Sequence, residues 1–467
     1  MRLSSIINLG KECLILAGLF ILGICVFYGF YCFIQKYVFK KSIQIKKKKF
    51  IINILLIGYI IVVLLVTLAG RARVIQYGIS LELFSSYHYA WNNFSIVEWR
   101  NIILNILMFV PLGFLLPLVH ESFKTWWKTY LAGLGLTVFI ELSQLIFHLG
   151  VFEVDDIMNN AVGCMIGFGI YALFALIYGC FQKKEVKILP TLLKQIPTLL
   201  TVCLFTGIFM TYKYQEYGNL RDYPSSHINM NDIHVETQIS LSDKKEKAYT
   251  YQSQSYTQEQ CLEKAKSFFQ MIGVTIDESL NEYYDETVYF YSVNKTHCIS
   301  IDYIDGFINY NDFSLFDQKD KGLSLKDIQK ILKKYDVMIP DQVSFSETEG
   351  TYEIIAYMTK VNDVYLNGTL TCVVNNGKLA DLQNGLITYM PYKQVDILSE
   401  KEAYQKILVG SFISDYMEYL PQDLIISKVR LTYRKDTKGF MQPVYVFNCI
   451  TKENENLGPI YIPAIRG

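Results

Sequence analysis

The chain has 467 residues, enough for two or three domains of about 150 residues each. Apolar residues make up 51% and charged residues 19%, and 44 basic side chains cancel 44 acidic ones. A neutral total argues against general nucleic-acid binding, which needs a basic surface. The 35 Tyr and 29 Phe residues exclude a disordered chain, a collagen or a disulfide-dense miniprotein.

The polar residues are unevenly spread. A membrane-spanning helix needs about 20 mostly apolar residues. Residues 1–212 hold six candidate runs, at 13–34, 50–69, 102–119, 129–147, 160–180 and 197–212. Pro190 and Pro197 make the start of the last run ambiguous. The first run has no clear small-residue cleavage site and further spans follow it, so it does not read as a signal peptide. Residues 213–467 hold no run of membrane length. The expected divisions are a first span with a basic loop (1–49), a helical membrane core (50–182), a loop and last span (183–212), and a separate domain (213–467).

Orientation follows from Lys and Arg in short loops, which favour the cytoplasmic side. Lys36, Lys40, Lys41 and Lys46 to Lys49 follow the first run. Lys124 and Lys128 follow the third, and Lys183, Lys184, Lys187 and Lys194 follow the fifth. With six spans these loops share one side, which places both termini outside the cytoplasm. The loop 148–159, with no Lys or Arg, falls on the outer side. The stretch 70–101 is also outer, and its Tyr87, Tyr89, Trp91, Phe94 and Trp99 suit a segment at the membrane interface.

After residue 213 apolar runs shorten to strand length. In residues 255–273, Cys261, Ala265, Phe268, Phe269 and Ile272 share one helical face. Strand-like runs follow at 287–293, 297–304 and 307–310. The order recurs: a helix over 324–335 with Ser324 as N-cap, then strands joined by an Asn376-Gly377 turn. A third unit opens on the Ser399 to Glu402 capping box. The expectation is an extracytoplasmic α+β domain of two or three helix-then-antiparallel-sheet units, loosely similar to PepSY or cystatin-like modules. Such modules bind wall components or proteins. His227, His234 and His297 are scattered and form no catalytic motif. Cys261, Cys298, Cys372 and Cys449 permit two disulfides, but burial as free thiols fits their amphipathic settings equally well.

Ionisable residues inside membrane spans are costly and mark functional candidates. Asn101 and Asn105 are four apart on the third span, and Pro111 and Gly113 interrupt its middle. Glu141, Gln144 and His148 fall on one face at the end of the fourth span. Asp156, Asn160, Gly163 and Gly167 fall on one face of the fifth, with Asp155 beside them. Gly163 and Gly167 form a GxxxG packing motif. Arg71 and Arg73 follow the second span. The topology places all these polar residues in one outer-leaflet layer.

The motif N-x-x-x-N-x-x-x-F-x-P-x-G-F, then E-x-x-Q, then D-x-x-x-N-x-x-G-x-x-x-G resembles the VanZ-like family of bacterial membrane proteins. It is carried by Asn101, Asn105, Phe109, Pro111, Gly113 and Phe114, then Glu141 and Gln144, then Asp156, Asn160, Gly163 and Gly167. The resemblance covers about residues 50–180. It implies a cell-envelope setting of Gram-positive type and a contribution to tolerance of teicoplanin-type glycopeptides. The first span and the C-terminal domain lie outside the shared core.

Three readings of the polar layer stand side by side. It fixes helix packing, since interhelical hydrogen bonds in membranes are worth about 0.6 kcal/mol on average. It binds an envelope molecule, such as a lipid-linked precursor or a lipoglycopeptide. Or it is catalytic, with Glu141 or Asp156 as general acid or base and Arg71 and Arg73 holding a phosphate. A hard cation on Asp155, Asp156 and Glu141 fits oxygen-ligand chemistry, yet nothing requires it, and no metal or cofactor is expected. An alternating-access transporter is disfavoured, because no second half repeats the pattern inverted. The expectation is a non-enzymatic envelope protein in contact with the lipid bilayer and not with nucleic acid.

Overall fold

The computed structural model describes residues 47–69, 78–220, 230–284, 286–315, 318–414, 421–453 and 455–466. The expected first span, Arg71, Arg73 and His227 lie outside the described residues. The chain divides into two compact units, Met1–Gln215 and Glu216–Gly467.

The first unit is helical. Its elements are α1 (Lys47–Leu64), α2 (Ser85–Asn93), α3 (Ile96–Val119), α4 (Trp126–Ile146), α5 (Val154–Phe181), α6 (Ile188–Leu193) and α7 (Ile196–Tyr214). A π-helical turn, Leu65–Ala69, extends α1. Among the described residues, five helices are long and apolar enough to cross a membrane: α1 with its extension, α3, α4, α5 and α7.

Bare backbone holds α3 against α5. A Cβ placed on Gly163 would lie 1.9 Å from the Ile106 carbonyl oxygen, and one on Gly167 would lie 2.0 Å from that of Val110. From the other side, a Cβ on Gly113 would lie 2.0 Å from the Cys164 carbonyl oxygen. Only glycine allows this approach. Because Ile106 meets Gly163 and Val110 meets Gly167, α3 and α5 run parallel. α4 runs antiparallel to both: the Gly133 site packs on the Cys164 side chain, and Thr137 bonds Asn160. Tyr59 of α1 donates its hydroxyl to the Met108 carbonyl, 2.7 Å away, in the turn of α3 before Pro111. Two short strands, β1 (Ile79–Ser80) and β2 (Phe152–Glu153), pair in parallel. They tie the segment before α2 to the α4–α5 connection.

The aromatic residues expected at the membrane interface also pack inward. Tyr87 and Trp99 lie against Phe205 of α7, at ring-centroid distances of 6.4 and 6.2 Å. Trp99 also meets Phe209 at 5.7 Å.

The second unit is β-rich. Its strands are β3 (His234–Thr237), β4 (Lys247–Ser253), β5 (Glu282–Tyr283), β6 (Thr287–Tyr291), β7 (His297–Asp302), β8 (Ile308–Asp312) and β9 (Ser344–Thr348). They continue with β10 (Thr351–Val361), β11 (Val364–Asn375), β12 (Lys378–Asn384), β13 (Ile387–Asp396), β14 (Ile413–Ser414), β15 (Asp423–Lys435), β16 (Phe440–Ile450) and β17 (Asn456–Pro463). All fifteen join one sheet, along the path β14-β17-β16-β4-β13-β11-β12-β8-β7-β6-β5. β9 and β10 branch from β11, β15 branches from β16, and β3 pairs parallel to β15. Asn376 and Gly377, both at positive φ, turn β11 into β12 as a type I′ hairpin requires.

Three helices pack on this sheet: α8 (Gln258–Met271), α9 (Leu325–Leu332) and α10 (Glu400–Leu408). Each starts with a reciprocal capping box, at Thr257 with Gln260, Ser324 with Asp327, and Ser399 with Glu402. One core unites α8 and α9 with β6 to β8 and β10 to β12, around Phe269, Ile328, Tyr352 and Leu370. A second unites α10 with β15 to β17, around Ile407, Leu424, Phe447 and Ile460. The three helices therefore pack on two cores, with α8 and α9 sharing one, and a smaller cluster of Tyr251, Ile387, Tyr389 and Met441 lies among the strands. Cys261, Cys298, Cys372 and Cys449 are separate buried thiols. Burial raises Cys261 and Cys298 to about 11, and Cys372 and Cys449 to about 12. They stay protonated and unreactive at neutral pH.

The boundary between units falls at Gln215/Glu216, later than the expected 213, because α7 continues to Tyr214. The first residues of the second unit are anchored by Asp436, which is 1% exposed. Its carboxylate accepts from the Gly218 N–H (2.7 Å), the Gln442 amide (2.7 Å), the Lys438 N–H (2.8 Å) and the Phe440 N–H (2.9 Å). Burial pushes this carboxyl above the usual range, and the four donors pull it back. Thr437 and Asn219 add two more bonds.

Residues 216–467 expressed alone should unfold cooperatively on heating. Residues 221–467 should unfold at lower temperature, since each bond to a charged acceptor contributes roughly 1.5–3 kcal/mol. Calorimetry on the two chains checks this. In the first unit, Gly163→Ala should destabilise the bundle by about 1–3 kcal/mol through overpacking. Thermal unfolding of the full chain in detergent measures it.

Candidate functional site

The parallel α3/α5 pair and the antiparallel α4 bring three helix ends together. They are the N-terminal half of α3, the C-terminal end of α4 and the first two turns of α5. The bundle is polar at this end. Glu141 and Gln144 are each 2% exposed, Asp155 and Asn159 1%, and Asn160 2%.

The neighbouring Asp155 and Asp156 serve different partners, because consecutive residues on a helix point about 100° apart. Asp155 turns to the start of α2. It accepts from the Phe84 N–H (2.6 Å), the Ser86 N–H (2.9 Å), the Ser86 hydroxyl (2.6 Å) and, at 3.4 Å, the Ser85 hydroxyl. Phe84 at the α2 N-cap offers no side-chain cap and sits at φ 67°. Asp155 therefore supplies the missing cap from about 70 residues away, with its charge at the positive end of the helix dipole. Asp156 turns to α3 and accepts from the Asn105 amide at 2.6 Å. Both residues of this pair are partly exposed.

One turn deeper, Asn160 donates to the Thr137 hydroxyl at 2.9 Å. Antiparallel pairing from that bond places Glu141, four residues after Thr137, at the level of Asp156, four residues before Asn160. Glu141 accepts from the Glu153 N–H at 3.2 Å. Gln144 donates at 3.2 Å to the carbonyl of Thr67, inside the π-helical turn. Asn159 accepts the Tyr87 hydroxyl at 2.6 Å. The Asn159 amide nitrogen, the Asn160 amide oxygen and the Trp99 indole nitrogen are buried with no hydrogen-bond partner among the described residues. Unmatched donors and acceptors at this depth are costly and leave capacity for a polar ligand.

Asn105, Glu141, Gln144, Asp156 and Asn160 therefore meet at one bundle end. Two candidates do not join them. Asn101 is exposed, one turn outside the Asn105–Asp156 contact. His148 is also exposed, because α4 ends at Ile146 and the chain turns at His148 (φ 55°), off the face of Glu141 and Gln144. Asp155 is committed to capping, so the Asp155, Asp156 and Glu141 trio does not converge. Among the described residues no three His, Cys, Asp or Glu side chains cluster as a metal set. Sequence reasoning missed Asn159, Thr137, Thr67 and Ser86, and read Tyr87 only as an interface aromatic. For Asn159 a signal existed, its place beside Asn160 in the same apolar run.

Residues 50–175, which hold most of α1, all of α2 to α4, most of α5 and this polar end, match the VanZ/LLP1 family model. The chain carries a VanZ-like domain. It is 31% identical over 78 residues to Protein VanZ of Enterococcus faecium, covering 16% of this chain and 47% of that protein. The chain thus spans about half the length of the curated relative it matches. The VanZ-like domain, with its run of apolar helices, marks a membrane protein. Two solved structures are similar to parts of this chain. One is a crystal structure of an uncharacterized protein from Eubacterium rectale, at 12% identity, covering 51% of this chain and 90% of that one, with a TM-score of 0.29. The other is the Bacillus megaterium YpeB C-terminal domain, at 11% identity, covering 46% and 100%, with a TM-score of 0.21.

Asp155→Ala should free the start of α2 by leaving the Phe84 and Ser86 N–H groups unpaired, at about 1–3 kcal/mol each. Limited proteolysis should then nick residues 81–95 faster. Asp156→Asn should leave that rate unchanged.

Proposed function

We propose that this chain is a multi-pass protein of the bacterial cell membrane that raises tolerance to teicoplanin-type glycopeptides or to envelope stress. It acts by binding an envelope amphiphile at the polar end of its VanZ-like domain. The observation that carries this reading is the meeting of Asn105, Glu141, Gln144, Asp156 and Asn160 at one bundle end, inside the matched region. Asp156 and Asn105 are partly exposed, and unpaired amide atoms lie behind them, so a ligand headgroup finds both an entrance and partners.

Charge supports the orientation. Lys124 and Lys128 lie between α3 and α4, and Lys183, Lys184, Lys187 and Lys194 lie between α5 and α7, all away from the polar end. On the positive-inside rule the polar end faces outward. α7 then runs outward, and residues 216–467 are extracytoplasmic. Their three capped helices, each followed by antiparallel strands, suit a PepSY or cystatin-like binding or sensing domain for a wall component or partner protein. Both termini lie outside in this reading.

A second reading makes the site an intramembrane enzyme for a lipid-linked envelope precursor. It rests on the shared level of Glu141 and Asp156, which suits an acid and base pair.

Survival across teicoplanin-type glycopeptides separates the readings, comparing cells with no protein, the natural chain, Glu141→Gln and Asp156→Asn at matched membrane abundance. Protection by the natural chain and its loss in both variants is the expected result. Equal protection by the variants would reduce the polar end to helix packing. An altered precursor in the lipid mass profile of protected cells would favour the enzyme.

A further inference from the structure

The second unit is acidic, with 25 basic side chains against 35 acidic ones in residues 216–467. One element runs against that balance. Lys326, Lys330, Lys333 and Lys334 recur along α9 and the 3-10 turn Lys333–Tyr335 that extends it. They fall at i, i+4, i+7 and i+8, one face of a helix, and all four are exposed. The opposite face, Ile328, Ile331 and Leu332, is buried in the core shared with α8. At 1.5 Å per residue the strip is about 12 Å long, with a cation about every 6 Å.

Helix energetics do not account for this strip. Lys326 lies in the first turn, where the helix dipole disfavours a cation. Lys330 has a like charge four residues before it and others three and four residues after it, and such pairs destabilise a helix. Several exposed lysines elsewhere in the unit meet acids, as Lys244 does Glu246, Lys266 does Glu278 and Lys401 does Asp243. The four of the strip form no ion pair among the described residues. The adjacent Asp327 turns its carboxylate to the Ser324 N–H (3.0 Å) and hydroxyl (2.6 Å), and Asp336 lies past the 3-10 turn.

The side chains choose between the occupants that would neutralise such a strip. A membrane surface takes a helix by its apolar face, and here that face lies in the core. Protein interfaces favour aromatic residues and Arg over Lys, and α9 holds neither. Lys is a point charge with rotatable donors, which suits phosphate oxygens without a fixed bidentate geometry. At physiological salt, charges more than about 8 Å away are largely screened, so the strip acts locally despite the acidic remainder of the unit. We propose that the outer face of α9 binds a linear phosphodiester polymer of the cell wall, with successive phosphates on Lys326, Lys330 and the Lys333–Lys334 pair. This deepens the proposed wall-binding role of the second unit and rests on its extracytoplasmic placement.

The full chain in detergent would be treated with an amine-acetylating reagent, with and without synthetic poly(glycerol phosphate), and acetylation read by mass spectrometry. The polymer should protect Lys326, Lys330, Lys333 and Lys334 severalfold and leave the exposed Lys245 and Lys378 of the same unit unchanged. Raising salt from about 50 to about 200 mM should raise the half-protecting polymer concentration roughly 20–50-fold, as three or four phosphate contacts require. Lys330→Glu relieves the like-charge repulsion, so it should keep or raise the unfolding temperature and abolish protection at Lys326, Lys333 and Lys334. Equal protection of every exposed lysine in the unit, or of none, would overturn the proposal. So would protection by phosphatidylglycerol mixed into the detergent and not by the polymer. Labelling of Lys245 and Lys378 by a membrane-impermeant amine reagent on intact cells reports the placement separately. If they label and the purified strip is not protected, the strip alone fails. If they do not label, the wall fails as the source, and the extracytoplasmic placement with it.

Discussion

The contact on which the rest of the first unit depends is the backbone approach of α3 and α5 through Gly113, Gly163 and Gly167. Lipid supplies no hydrophobic drive between helices, so close packing and hydrogen bonds must hold them together. Removing three side chains lets the helices touch along a parallel seam. That seam sets Asn105 against Asp156 at 2.6 Å and brings the start of α5 level with the end of α4. Larger residues at these positions would separate the helices and take the polar end apart.

Within that frame the two adjacent aspartates serve different helices. Asp155 is fully occupied by donors around the start of α2, which makes its burial tolerable. Asp156 accepts from Asn105 of α3 and is partly exposed. The same helix turn thus holds α2 with one carboxylate and α3 with the other.

Much of this was legible in the sequence, for identifiable reasons. Apolar run length located α3, α4, α5 and α7 with ends within six residues, because the bilayer demands length and apolarity together. Four-residue spacing grouped Asp156 with Asn160, which point toward one side and meet Asn105 and Thr137. Periodicity says which residues share a face but not which neighbour the face meets. Asp155 was therefore grouped with Asp156 although it caps α2, and Asn101 with Asn105 although it is exposed. The π-helical turn at Thr67, and its bond to Gln144, carry no sequence signature. In the second unit, the face of Cys261, Ala265, Phe268 and Phe269 is buried as read, because amphipathic periodicity is strong there. The joining of all fifteen strands into one sheet depends on long-range pairings that local patterns do not encode.

The bond from Tyr59 to the Met108 carbonyl bears on biogenesis. Pro111 has no N–H, so it breaks the backbone ladder of α3 and weakens that helix as an independent span. The carbonyl that loses its donor is that of Leu107, and Tyr59 bonds the next one, on Met108. Because Tyr59 precedes Met108 by 49 residues, that donor leaves the ribosome first. The order of synthesis thus puts α1 ahead of the proline-bearing helix that it contacts.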